Sequence, residues 1–378
     1  MLAGLLDEAH QMHPDDLGAA LRRWGQMAGI VDVVAYIVDR DQRQLTPLRG
    51  SGAEVEPVEG SMAGRCYQRG ETTTAETGRV WFPLLDGTAR LGVMVAHLDP
   101  SDPNAESRAA ALASLAAYLV VAKAGAGDSI SRLFNARPLS LAAEIRWAAL
   151  PPLAFDNGRV ALGAMLQPAY EIAGDTFDYA VEDDTLHLAV FDAMGHGLAA
   201  SLLANTAVYT YRRARRQGMA LEDIYRSIDD AIADQFGDES FVTAQLVTID
   251  VATGALRSIC AGHPLPLLLR NRTSIHQMET DTHLPLGMGH RDVEVTEEHL
   301  QAGDIVTYYS DGISEARSSE GEEFGIERLK DFLVRAYGSE LSPSEVARRA
   351  LHSVSEHHGD HLADDATLVL VNWRGPAG

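Results

Sequence analysis

Cysteine is nearly absent from this sequence. Cys66 and Cys260 are the only two in 378 residues, far apart and without CxxC spacing, so neither a disulfide framework nor a thiolate zinc site is expected. Positive charge is scarce as well. Lys and Arg number 31 against 54 Asp and Glu, a net charge of −23, and so acidic a chain is poorly suited to nucleic acid, whose phosphates need basic partners. Long apolar runs are missing: Ala109 to Ala122 falls short of the ~20 residues needed to span a bilayer. The opening MLAGLLDEAHQMH carries acids early and has no signal-peptide core, so a cytoplasmic protein without a membrane partner is expected. There is no P-loop, no nucleophile elbow and no HExxH, and no ATPase-like region is expected after Trp373.

What is present is an unusual set of acids. In LHLAVFDAMGHG an apolar run, Leu188 to Phe191, reads as a buried strand that stops at Asp192. Gly195 and Gly197 flank His196, as if to let backbone and ligand approach closely. Asp175 follows Gly174 just before that strand. The run Ile305 to Tyr309 ends at Asp311-Gly312, and Asp364-Asp365 open the last strand, Thr367 to Val371. Four acidic strand ends brought to one sheet edge would repel one another and raise their own pKa values. Divalent cations remove that cost. Oxygen-only ligands suit Mg or Mn, and several carboxylates can hold two ions about 3.5–4 Å apart.

The remaining pattern divides the chain. Composition, with 46% hydrophobic and 22% charged residues, is that of a globular protein long enough for two cores. A helix from Leu17 to Ala28, strands at VVAYIVD and LTPL, and a short helix in GSMAGRCYQRG come first. A hairpin follows, RVWFPLL and ARLGVMVAHL around Asp86-Gly87, and a helix from Ala105 to Lys123 closes the unit. This order resembles a GAF-type sensory domain over residues 1–124. Its interior either takes a small ligand or is a filled core serving dimerisation. Cys66 reads as a buried thiol, and His10 and His13 as terminal residues that do not bind metal. Residues 125–152 read as a helical linker whose segment LSLAAEIRWAAL is stopped by Pro151-Pro152. Residues 153–373 form the second domain. There FVTAQLVTID and LRSICAG make a hairpin that AGHPLPLLL continues, and His263 reads as core packing. Arg212, Arg213, Arg215 and Arg216 suit the dipole at a helix C-terminus, and HHGDH reads as a polar loop.

GDTFDY, DAMGHG, FVTAQLVTID, AGHPLPLLL, LPLGM, YYSDGISEA, FGIERL and DDATLVLV occur in an order that resembles the metal-dependent PPM (protein phosphatase 2C-like) serine/threonine phosphatases, the SpoIIE/RsbU branch in particular. The resemblance spans about residues 140 to 373, with EIAGD where VGGD is commoner. It implies an α+β chain: a C-terminal β-sandwich flanked by helices, preceded by the smaller GAF-like α+β domain and the helical linker. It also implies two Mn2+ or Mg2+ ions between the sheets. Asp192 would bridge both, Ala193 would lend its carbonyl, and Asp175, Asp311 and Asp364 would complete the set. Asp178 and Asp365 would steady ligands or bound water. Asp192 is then a catalytic residue, and His196 either donates a proton to the leaving oxygen or only orients its loop. The implied substrate is a phosphorylated STAS-domain anti-anti-sigma protein. A small-molecule or protein signal acts at the N-terminal domain, and a homodimer is the expected assembly. The rival is a degenerate phosphatase fold used as a ligand-gated scaffold, whose mark would be a lost carboxylate; all four are present.

Overall fold

The computed structural model describes residues 2–75, 78–237, 239–339, 341–359, 362 and 364–376, with the backbone alone for 2–6. The chain divides into two compact units, Met1–Pro138 and Leu139–Gly378.

The first unit runs α1 (Leu2–Gln11), a 3-10 turn (Pro14–Asp16), α2 (Leu17–Met27), β1 (Asp32–Val38), β2 (Gln44–Pro47), β3 (Glu56–Pro57), α3 (Met62–Arg69), β4 (Thr73–Thr74), β5 (Arg79–Asp86), β6 (Ala89–His97), α4 (Ala105–Ala124) and α5 (Asp128–Phe134). Its antiparallel sheet has the order β3-β2-β1-β6-β5-β4. The sheet is covered on both faces, which explains the unbroken apolar run in β1. Val33, Ala35 and Ile37 pack with Trp24, Phe82 and Leu112 on one side. Tyr36 and Val38 pack with Cys66, Tyr67 and Trp81 on the other. Burial there pushes the Cys66 thiol up to about 12. Helix α4 has 20 residues, long and apolar enough to cross a membrane, which corrects the shorter run read from the sequence. Its buried side, including Ala109, Leu112, Ala116 and Val120, lies in the core of this unit.

The segment expected as a separate linker is divided between the units. Ile130 of α5 is buried in the first core, and the Phe134 carbonyl accepts from Arg40 N at 2.8 Å. The next helix, α6 (Leu141–Ala149), belongs to the second unit. Ser140 caps it by accepting from Ala143 N at 3.1 Å.

The second unit continues with β7 (Ala154–Asp156), β8 (Val160–Gln167), β9 (Asp175–Glu182), β10 (Thr185–Ala193), α7 (Gly197–Arg216), α8 (Leu221–Phe236), β11 (Val242–Asp250), β12 (Ala255–Ala261), β13 (Leu267–Arg270), β14 (Ser274–Gln277), β15 (Thr282–His283), β16 (Thr296–His299), β17 (Ile305–Tyr309), α9 (Asp311–Ser314), α10 (Ile326–Gly338), α11 (Pro343–His358) and β18 (Ala366–Trp373). One sheet has the order β15-β12-β11-β10-β9, with β16 also on β12. The other is β14-β13-β17-β18-β8-β7. Leu162, Phe177, Val190, Val247, Tyr308 and Val369 fill the space between the sheets. The outer face of the first sheet packs on α7 and α8 through Phe191, Tyr211, Ile228 and Leu246. The second packs on α10 and α11 through Leu333, Leu351 and Leu370. The α+β sandwich flanked by helices is therefore as expected.

Two expectations are corrected. AGHPLPLLL does not continue the β11–β12 hairpin: the chain crosses to the other sheet, where β13 pairs with β17. Pro264 and Pro266 lack the N–H groups that a continuing ladder needs. His357 and His358 are not loop residues but end α11, and His357 lies 2.9 Å from the Glu322 carbonyl. Asp360 and His361 lie outside the described residues.

Candidate metal centre

Side chains of a strand alternate between its faces. Phe177 and Val190 point between the sheets, so Asp175 and Asp192, two residues away in their strands, point there too. They are also register partners, and Thr243 of β11 faces Asp192 from its other side. From the opposite sheet, the alternation Val306, Tyr308 brings Ser310 inward. Its hydroxyl donates to Asp175 Oδ2 at 2.5 Å and accepts from Thr367 N at 2.9 Å. Asp311 then opens α9, and Asp364 and Asp365 lead into β18.

Asp365 does more than add charge. Its Oδ2 accepts from three successive backbone N–H groups, Ala173 at 2.8 Å, Gly174 at 2.7 Å and Asp175 at 3.2 Å. It thereby pins the loop that presents Asp175. Two glycines permit the close approach. A Cβ on Gly174 would stand 2.7 Å from the Ala193 carbonyl oxygen, and one on Gly312 would stand 1.9 Å from the Asp365 carbonyl oxygen. Gly195 and Gly197 serve otherwise than expected. Nothing crowds them, and their φ values of 87° and 70° supply the left-handed turn into α7.

The electrostatics show strong mutual repulsion. Burial, followed by Asp192 and Asp365, holds the Asp175 pKa well above the usual carboxylate range. Asp192 is pushed up to about 7 by burial, with Asp311, Asp364 and Asp365 adding to it, while a hydrogen bond with Asp175 works the other way. Asp311 is raised by burial and then by Asp364. Two hydrogen-bonded carboxyls must share a proton, or else a cation must take its place. The donors are hard oxygens, and their charge is uncompensated, so the residues fit Mg2+ or Mn2+. Among the described residues, no three His, Cys, Asp or Glu side chains form a ready-made cage. The groups available to such ions are Asp175, Asp192, Asp311, Asp364 and the Ala193 carbonyl.

Other residues fall elsewhere. His196 is exposed at the N-cap position of α7, and its side chain caps nothing. Asp178 is not at the centre. Three residues from Asp175 in the same strand, it faces the helices, where Arg212 Nη2 lies at 2.6 Å and Arg215 Nη2 at 3.6 Å. Those two arginines are thus committed to a buried ion pair as well as to the helix dipole. Arg212 also donates to the Ala149 carbonyl at the end of α6, at 2.6 Å.

Arg146, which drew no attention in the sequence, is fully buried on α6. It donates to the carbonyls of Ala173 (3.0 Å) and Ser201 (3.1 Å) and to Asn205 Oδ1 (3.0 Å). Burial pulls its pKa down to about 10, against the pull of Asp365 and Asp175. The loop bearing Asp175 is therefore held from two sides, by Asp365 and by Arg146.

Comparison with known proteins agrees with this architecture. Residues 182–374, just over half of the chain, match the profile of the family described as stage II sporulation protein E (SpoIIE). The chain belongs to the SpoIIE family. It is 21% identical over 214 residues to phosphoserine phosphatase RsbU of Bacillus subtilis (strain 168), a match covering 56% of this chain and 62% of that protein. The chain spans 62% or less of the length of the curated relatives it resembles. Among solved structures, the RsbU and RsbW domains of a Mycobacterium tuberculosis protein share 24% identity with a TM-score of 0.51, over 58% of this chain and 62% of that one. The SiaA-PP2C domain of Pseudomonas aeruginosa gives 21% and 0.52, over 61% of this chain and 94% of that one. The SpoIIE-type unit accordingly has the protein phosphatase 2C fold.

Proposed function

We propose that the chain is a metal-dependent protein serine/threonine phosphatase acting on a phosphorylated STAS-domain regulator, with its activity gated by a GAF-like N-terminal unit. The observation that carries the reading is the abutting pair Asp175 and Asp192, ringed by Asp311, Asp364 and Asp365 in a SpoIIE-type sandwich. Two Mn2+ or Mg2+ ions held by Asp175, Asp192, Ala193, Asp311 and Asp364 would acidify water and neutralise phosphate charge. The chain's own groups prepare that site. Asp192, placed between its strand neighbours Asp175 and Thr243, would be a carboxylate ligand to such ions. Ser310 orients Asp175, and Asp365 fixes the loop behind it. No protein nucleophile is required, and His196, exposed beside the Asp192 loop, is assigned the proton for the leaving serine or threonine oxygen.

Gating is supported by the way α6 is held. Its Arg146 reaches the Ala173 carbonyl, and its last carbonyl accepts from Arg212. A change in α6 that altered these bonds would be felt at the Asp175 loop. We place the protein in the cytoplasm, working as a homodimer without nucleic-acid or membrane partners. The test is phosphate release from phosphorylated STAS-domain proteins by the full chain, with Mn2+ and again in chelator after dialysis. Release that needs metal supports the reading. Full turnover in chelator overturns the metal mechanism, and no release from any phosphoserine protein overturns the activity.

A further inference from the structure

Helix α8 carries a buried acid that lies outside the metal centre. Asp229 is 1% exposed, and its Oδ1 accepts from two backbone N–H groups in the turn between β15 and β16, Gly287 at 2.7 Å and Gly289 at 3.1 Å. Its other oxygen is buried as well and has no hydrogen-bond partner among the described residues. A carboxylate is costly to bury, and here its hydrogen bonds go to this turn alone. The rest of the turn is clamped to the same helix. Tyr225 Oη donates to the Leu284 carbonyl at 2.7 Å, Arg226 Nε donates to the Arg291 carbonyl at 3.3 Å, and Arg291 pairs with Asp230. Gly287 leaves no slack: a Cβ there would stand 2.5 Å from Ile232 Cγ2 and 2.6 Å from the Ser240 carbonyl oxygen.

What the turn supports is the acid end of the first sheet. Leu286, inside the turn, exchanges both main-chain bonds with Val242, at 2.9 and 3.0 Å. Val242 opens β11 and is the register partner of Ala193. With its own N–H and carbonyl turned toward Leu286, Val242 leaves the bond to β10 to its neighbour, and Met194 N donates to the Phe241 carbonyl at 3.2 Å. On the opposite side Ala193 N donates to the Gly174 carbonyl at 3.3 Å, in the loop that Asp365 and Arg146 hold. The main chain at Ala193 and Met194 is thus gripped from both flanks, and each flank ends at a buried charged side chain. Every link from the Asp229 turn to Met194 is main chain, so no side-chain rotation can absorb a shift of the turn.

We propose that Asp229 is a positioning residue: by fixing the turn at 286–289 against β11 it sets where the main chain of Ala193 and Met194 stands, and so sets affinity for divalent cations. The inference rests on the metal site of the phosphatase reading and not on its substrate. The test uses the full chain and three variants, Asp229→Leu, Asp229→Asn and, as control, Asp230→Asn on the exposed side of the same helix turn. Mn2+ affinity is measured by calorimetry, thermal stability in chelator, and kcat and KM on a small phosphate monoester. Asp229→Leu keeps the volume without the acceptor and is expected to weaken Mn2+ binding about tenfold or more, as the loss of groups that orient ligands does elsewhere. Asp229→Asn keeps a neutral acceptor with about half the strength of a charged one, so its loss should be about threefold. In both, kcat lost at low Mn2+ should return at saturating Mn2+ with KM unchanged, whereas a brace serving stability alone would lower Tm in chelator and leave Mn2+ affinity as it was. Asp230→Asn should bind Mn2+ like the parent. Parental Mn2+ affinity in folded Asp229→Leu overturns the proposal, as does a parent that binds no Mn2+ or an Asp230→Asn variant that loses as much as Asp229→Leu. Should Asp229→Leu fail to fold, Asp229→Asn decides alone, and parental affinity there overturns the proposal. A parent without phosphatase activity whose Asp229 variants still lose Mn2+ affinity would defeat the phosphatase reading and uphold this one.

Discussion

Replacing Arg146 by Met removes a charged tie between α6 and the Asp175 loop. The side chain is fully buried and makes three hydrogen bonds, to Ala173, Ser201 and Asn205. The Ser201 carbonyl keeps its partner within α7, but the Ala173 carbonyl and the Asn205 amide oxygen each lose a charged donor, at a cost of about 1–3 kcal/mol apiece. Against this, the wild-type fold pays for burying a guanidinium. The fall in its pKa from 12.5 to about 10 corresponds to about 3 kcal/mol. The two terms largely offset, so the net destabilisation is at most about 3 kcal/mol, or a fall of no more than roughly 12 °C in Tm for a unit of this size. The effect on the site should be more specific. Asp365 still holds the three N–H groups, so the loop stays but loses its second anchor. Mn2+ affinity is expected to fall about tenfold, which is about 1.4 kcal/mol. Calorimetric titration of the full chain measures it, with Glu144→Ala, exposed on the same helix, as the control. A variant whose Tm falls as stated while its Mn2+ affinity is unchanged would show that α6 is a passive brace. Charging Ala143 would not answer this question, because Ala143 is fully buried in the sandwich core.

Asp192→Asn should lower turnover on the order of a thousand-fold. The metal-free variant should be no less stable than the metal-free parent, since the amide removes a repelled charge; thermal melts in chelator check this. Gly174→Ala sets a methyl 2.7 Å from the Ala193 carbonyl and should weaken Mn2+ binding by about tenfold or more, read by the same titration. Asp178→Asn breaks a buried ion pair and should cost about 3 kcal/mol of stability in denaturant melts while leaving Mn2+ affinity intact. His263 also predicts a pH dependence. Its folded pKa is depressed, so its contribution to stability is present above the unfolded value near 6.5 and is lost as pH falls toward about 3. The slope from this group approaches about 1.4 kcal/mol per pH unit. Acid-unfolding curves of His263→Gln should be shallower than the parent's by about one proton.

Much of this could be read from residues that end strands. Asp192 and Asp311 stood out because a carboxylate after an apolar run has no packing role, and Asp175 because it follows a glycine just before the next strand; the structure does bring the three together. Asp178 misled for a reason present in the sequence: an offset of three in a strand reverses the face, so it could not share a site with Asp175. Alternation would also have found Ser310 and Thr367, in step with Val306–Tyr308 and Val369. The crossing at Pro264 and Pro266 was not legible, because prolines say that a ladder ends and not which sheet receives the chain. Arg146 was hidden for a deeper reason. A buried arginine is recognised by its acceptors, and Ala173, Ser201 and Asn205 are distant in sequence. The division at Pro138 was missed because α5 and α6 are both short helices, and only their packing assigns them to different units.

The place of β18 has a consequence for synthesis. It lies between β17 and β8, pairing along its whole length with a strand that leaves the ribosome some two hundred residues earlier. Asp365, at its threshold, supplies the three acceptors that hold the Asp175 loop. Until residues 364–373 have emerged, β8 has no central partner and the acids have no fixed arrangement. Such late closure makes folding slow compared with a chain of local contacts. It also means that a chain interrupted anywhere before β18 carries most of the acidic residues yet cannot gather them.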